Sequence, residues 1–158
     1  MKCLTVTQPW ASLIAIGAKR IESRSWSTSY RGPLAIHAAK GFPRWAKETC
    51  WRDPFDEILR TKFGDGTSWA QILPTILPVG KVIAIARLTN VLPAEVVDNV
   101  GNVFDTCLDP LSEQEKAFGD YTPGRFAWIL EDVKALEKPV LAKGALGLWN
   151  WEPGELPR

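Results

Sequence analysis

Leu4-Thr5-Val6-Thr7-Gln8-Pro9-Trp10-Ala11-Ser12-Leu13-Ile14, continued by Gly17-Ala18-Lys19-Arg20-Ile21-Glu22-Ser23-Arg24-Ser25-Trp26 and Tyr30-Arg31-Gly32, is the most informative stretch of the 158-residue chain. The alternating, β-branched start predicts a short strand over Leu4–Thr7. Pro9 suits the first turn of a helix, with Thr7 or Gln8 near its cap. Trp10, Leu13 and Ile14 fall on one helical face, and Gly17 supplies the stop. From Arg20 to Trp26 the period changes to two. Arg20, Glu22, Arg24 and Trp26 share one strand face, Ile21, Ser23 and Ser25 the other. Tyr30-Arg31-Gly32-Pro33 is turn material before a small-residue strand, Leu34–Ala39.

Outward from this segment, Phe42–Lys62 is the main helical candidate, broken or restarted at Pro54. A loop over Phe63–Thr67 and a short helix around Ser68–Leu73 follow. Lys81–Leu92 is the clearest buried strand, apolar on both faces over Val82–Ala86. Pro93–Gly119 reads as loops and short helices, including Leu111–Phe118. Arg125–Asp132 and Leu146–Trp151 are two further strands. The order β-α-β-β-α-α-β-α-β-β contains no repeating βαβ unit. The expectation is one α+β domain over residues 1–158, built on a small mixed or antiparallel barrel with flanking helices.

Hydrophobic residues form 46% of the chain and charged residues 23%, an ordinary globular balance. The net charge of +1 conceals a split. Residues 1–47 hold eight Lys or Arg against one acid, Glu22, a net of +7, while the remainder has 11 basic and 17 acidic residues, a net of −6. Such asymmetry points to an anionic partner for the basic part. Cys3, Cys50 and Cys107 stand far apart beside a single histidine, so the paired spacings of a structural zinc site are missing. No apolar run approaches the ~20 residues of a membrane span, and Met1–Thr7 is too short for a signal segment. A cytoplasmic protein with no cofactor and no membrane association is expected. Its oligomeric state is left open, a monomer being slightly favoured.

Lys19, Glu22 and Arg24 are the chemically suggestive group. Converging in a pocket, a lysine stabilises a developing oxyanion, a carboxylate serves as general base toward water, and a guanidinium grips phosphate. The same spacing is also that of a solvated charged strand face with an ion pair of small value. Trp26 shares that face, either as a stacking platform for a base or as a satellite of the core. Trp10 and Trp128 fit core roles, and Trp149 and Trp151 suit the sealing of a barrel end. Thr122-Pro123-Gly124 fits a type II turn, a connector that could also carry Tyr121 and Arg125 over a pocket. His37 reads as a hydrogen-bonded strand residue. No P-loop, GxGxxG, GxSxG or HExxH is present.

The pattern Gln8-Pro9-Trp10 … Gly17-Ala18-Lys19 … Glu22 … Arg24 … Trp26 … Arg31-Gly32 resembles the ASCH domain family, which is related to the PUA fold. Gly124-Arg125-Phe126-Ala127-Trp128 and Gly147-Leu148-Trp149 resemble segments of its bacterial branch. The resemblance implies a small PUA-like β-barrel with a cleft facing RNA, a nucleoside or a nucleotide. On the binding reading Arg24, Arg31 and Arg125 contact phosphate, Trp26 stacks on a base, Lys19 and Glu22 sit at the pocket floor, and Gln8 joins the binding set. Family members include nucleic-acid binders, a ribonuclease, and an amidohydrolase that deacetylates an acetylated cytidine with a Lys, a Thr and a Glu. That Lys matches Lys19, whereas the position of the Thr holds Glu22, so the nucleophile is absent there; the hydrolase reading draws instead on Glu22 as general base, Lys19 as oxyanion or phosphate stabiliser, and Tyr121. A protein-interaction adaptor is a third reading, since the family is named from a transcription coactivator.

Overall fold

Alternating apolar positions build one sheet from strands β1 (Lys2–Val6), β2 (Ile21–Arg24), β3 (Gly32–Ala38), β4 (Lys81–Pro93), β5 (Phe126–Leu141) and β6 (Leu148–Asn150). The computed structural model describes residues 1–64, 76–100 and 111–154. Within them the strand order is β2-β5-β4-β3-β1-β6, and the sheet curls into a half-barrel. β1 runs parallel to β3, and every other neighbouring pair is antiparallel. Five helices accompany it among the described residues: α1 (Trp10–Ala15), α2 (Arg44–Thr49), α3 (Phe55–Phe63), α4 (Ala94–Val100) and α5 (Glu113–Phe118). The expected helix at Ser68–Leu73, most of the Phe63–Thr67 loop and Cys107 lie outside the described residues.

α1 follows Pro9 and divides its apolar side between two cores. Ala11 and Ile14 join Leu4, Val6, Leu34, Ile36 and Trp128 against the sheet. Leu13 instead joins Cys50, Phe55, Leu59 and Phe118. The helix ends at Gly17, whose φ of +78° a side chain would strain. The Gly17 N–H donates to Ile14 O at 2.9 Å and the Ala18 N–H to Leu13 O at 3.0 Å, the two bonds of a Schellman ending. Pro54 separates α2 from α3, as its missing N–H requires. β4 is buried almost throughout Val82–Ala86, because it lies between β3 and β5 with apolar clusters on both faces. Cys3 and Cys50 are free thiols, and burial pushes each up to about 12.

Two strand expectations are corrected. The strand expected over Arg20–Trp26 ends at Arg24, which pairs with the first residue of β5, Phe126. Trp26 has no ladder partner there and packs edge-on against Trp128, ring centroids 4.7 Å apart. The strand expected over Arg125–Asp132 continues to Leu141. Beyond Leu130, whose N–H donates to Arg20 O at 2.9 Å, only β4 pairs with it among the described residues, so its outer half is largely exposed and carries no alternation for a sequence to reveal. Pro139 is tolerated on such an edge. The Thr122–Arg125 turn forms as expected: Gly124 has φ +89° and the Arg125 N–H donates to Thr122 O at 3.3 Å.

Candidate functional site

The Gly17 reversal delivers Lys19 into the interior, 1% exposed. Its ammonium donates to Ile21 O and, at 3.2 Å, to Phe118 O, the last carbonyl of α5. Its third face meets Glu22 Oε2 at 3.8 Å. Burial pushes the Lys19 ammonium below its ordinary range, while the carboxylates of Glu22 and Glu115 pull it back up. Glu115 closes the cluster from α5. Its carboxylate accepts the Arg20 N–H at 3.0 Å and the Ile21 N–H at 3.0 Å. Burial pushes the Glu115 carboxyl up, opposed by Lys19 and by those two N–H groups.

Alternation along β2 turns Glu22 and Arg24 to the same side. Arg24 Nε lies 3.1 Å from Glu22 Oε1, and its Nη2 donates to Thr5 O at 2.6 Å. Above this pair opens a cleft of about 230 Å3 lined by Val6, Thr7, Trp10, Glu22, Ser23, Arg24, Trp45, Phe118 and Asp120. Trp45 projects from α2, 59% exposed. Its ring centroid lies 5.7 Å from that of Trp10 with a 40° tilt. Asp120 sits at the rim. Hydrogen bonds from the Thr122 N–H and hydroxyl hold its carboxyl below the usual range, with help from Arg125.

The structure thus brings Lys19, Glu22 and Arg24 together, with Lys19 behind the floor rather than in the opening. Arg125 stands next to the rim, its Nε 3.3 Å from Asp120 Oδ2 and its Nη2 donating to Ser23 O at 3.3 Å. Gln8 is fully buried: its Nε2 donates to Pro78 O at 2.7 Å and its Oε1 accepts the Ser12 N–H at 3.0 Å. Trp26 and Arg31 are not among the cleft-lining residues. Arg31 instead donates to Thr28 O and Tyr30 O on its own turn. Tyr121 packs against the cluster of Ile21, Val97, Ala127 and Ile129, and alternation places Ile21 on the β2 face opposite Glu22. The charged groups facing the cleft are two carboxylates and one guanidinium, so the basic excess of residues 1–47 does not make a basic cleft. Several of those cations, including Arg31, Lys40 and Arg44, lie exposed on the surface.

Trp45, Asp120 and Glu115 were not singled out from the sequence. Trp45 stands among Arg44, Lys47 and Glu48, a polar setting that marks an aromatic ring facing outward. Ser112-Glu113-Gln114-Glu115 is a helix-capping signature, and Ser112 Oγ does accept the Glu115 N–H at 3.1 Å. Nothing local shows that the Glu115 carboxylate reaches Arg20.

A half-barrel with helices tucked against its sheet and a Lys-Glu-Arg cluster at and behind the floor of a cleft defines a small cleft-bearing domain. Residues 4–140 match the ASCH domain profile, and the chain belongs to that family. It is 56% identical over 41 residues to Activating signal cointegrator 1 of Homo sapiens, 26% of this chain and 7% of that protein. For the Mus musculus protein of the same name the identity is 58% over 36 residues, 23% of this chain and 6% of that one. The chain therefore corresponds to a small part of those relatives. Among solved structures it is similar to an ASCH protein of Zymomonas mobilis, with TM-score 0.51 and 15% identity over 96% of this chain and 87% of that one. A tyrosine-to-phenylalanine variant of that protein gives the same TM-score and identity, covering 96% and 90%. At that identity the likeness is one of fold.

Proposed function

We propose that this protein binds RNA or a free nucleotide by taking one nucleobase into the cleft beside Trp10 and Trp45, above Glu22 and Arg24. The observation that carries the reading is a hollow of about 230 Å3 with an exposed indole on its wall and a carboxylate–guanidinium pair on its floor. Sites for drug-sized ligands run roughly 300–1,000 Å3, so this one suits a single base. Base–aromatic stacking contributes about 1–3 kcal/mol per base. Arg125 at the rim supplies a phosphate contact to a strand that extends past the cleft. Each such contact on single-stranded nucleic acid steepens the salt dependence by about 0.7 in log–log slope. Titration of a single-stranded RNA oligonucleotide and of nucleoside monophosphates, followed by tryptophan fluorescence, tests this. Binding at low salt is expected, and Trp45→Ala should weaken it by about 5- to 160-fold. An absence of binding at low salt, or full affinity in Trp45→Ala, overturns the reading.

Hydrolysis of a modified nucleoside or of RNA is a second reading, favoured by the burial-depressed Lys19 ammonium behind Glu22. Lys19 has two of its donors on backbone carbonyls, so it acts by positioning Glu22 as base toward water. Glu22→Gln should then abolish turnover of acetylated cytidine or RNA while ligand still binds. Equal residual rates in both proteins refute it.

A further inference from the structure

The hydrogen-bonding character of the cleft narrows which base it takes, an inference that rests on the binding reading above. We propose that the cleft selects guanine, with the Glu22 carboxylate accepting from its N1–H and N2–H2 donors and Arg24 facing its O6. The floor and rim carry two carboxylates, Glu22 and Asp120, which offer acceptors only. Glu22 has about four lone-pair directions, and its neighbours are two cations: Arg24 at 3.1 Å and Lys19 at 3.8 Å. Acceptor capacity is therefore left over. Arg24 commits one Nη2 hydrogen to Thr5 O and brings Nε, which makes no hydrogen bond, to 3.1 Å from Glu22 Oε1, so its Nη1 hydrogens and the second Nη2 hydrogen are free to meet an acceptor. Ser23 and Thr7 add rotatable hydroxyls, and the Ser23 oxygen accepts the Asp120 N–H at 3.0 Å while its own hydrogen stays available. The cleft thus presents the two adjacent acceptors of Glu22 beside the donors of Arg24.

Among the four RNA bases only guanine carries two adjacent donors followed by an acceptor on its Watson–Crick edge. Adenine and cytosine place a ring lone pair beside their amino group, which a carboxylate repels. Uracil has one donor between two carbonyls. Stacking on Trp45 favours any base, so selectivity has to come from the edge.

The test measures binding of GMP, IMP, AMP, CMP and UMP by tryptophan quenching in one buffer. GMP should bind at least about tenfold tighter than CMP, AMP and UMP, in the range of a bidentate base contact. IMP, which lacks only the 2-amino group, should fall between. Glu22→Gln should reduce the GMP preference, and Asp120→Asn at the more open rim should reduce it less. The GMP-to-IMP comparison uses the unaltered protein and needs no variant to fold. Equal binding of all five, equal binding of GMP and IMP, or a CMP preference overturns the guanine assignment and leaves the binding reading standing. Binding of none overturns both.

Discussion

Lys19 shows how one side chain joins three parts of the fold. Its ammonium meets a carbonyl of β2, the final carbonyl of α5 and the Glu22 carboxylate. Removing one member of a buried charge cluster leaves the others uncompensated, at a cost of about 3–5 kcal/mol. Lys19→Met should lower the urea midpoint accordingly, and a loss below about 1 kcal/mol would place the lysine outside any such network. This residue was legible in part. The spacing Lys19, Glu22, Arg24 suggested a converging group, and alternation predicted the shared face of Glu22 and Arg24. The sequence left open whether Lys19 was buried or solvated, because its environment comes from α5, about a hundred positions away.

At the scale of elements, α1 and its ending were readable residue by residue. Pro9, the Trp10-Leu13-Ile14 face and Gly17 each act through local sterics and local hydrogen bonds. Gly17→Ala forces a side chain into the left-handed region at about 1–2 kcal/mol. It should destabilise the fold by that amount and, by moving Lys19, alter binding in the cleft. Chemical denaturation and nucleotide titration of the same variant check both effects, and unchanged values would show that the Schellman ending is dispensable. The outer half of β5 was illegible for the opposite reason. Its conformation is set by the β4 ladder, while its exposed side chains follow no period.

Across the whole molecule, His37 fastens β1, β3, β6 and the β5–β6 connection. Its Nε2–H donates to Ala142 O at 3.0 Å, so Nδ1 accepts from the Thr5 hydroxyl at 3.2 Å. Thr5 Oγ1 in turn accepts the Trp149 Nε1–H at 3.1 Å. Burial holds the His37 imidazole below its ordinary 6.5, only partly offset by the Ala142 carbonyl. Lys40 and Lys143 line the neighbouring hollow of about 340 Å3 and add no compensating negative charge. The unfolded chain binds this proton more readily, so the stability contribution is complete above pH 6.5 and falls as pH drops below it. Urea midpoints at about pH 7.5 and about pH 5 should differ more in the wild type than in His37→Asn. Equal differences would show that His37 does not carry the acid sensitivity.

The sequence by itself determined the local elements, the α+β class, the turn at Thr122–Arg125 and the ASCH-like order of Gln8, Lys19, Glu22 and Arg24. These depend on backbone sterics and on the period with which side chains alternate, both of which act over a few residues. Only the tertiary structure decided that Trp45 rather than Trp26 lines the cleft, that Gln8 is consumed by Pro78 and Ser12, and that Arg31 points elsewhere. A period assigns a side chain to a face of its own element. Which other face it meets depends on pairings such as β2 on β5 and α5 on Lys19, made between residues about a hundred positions apart.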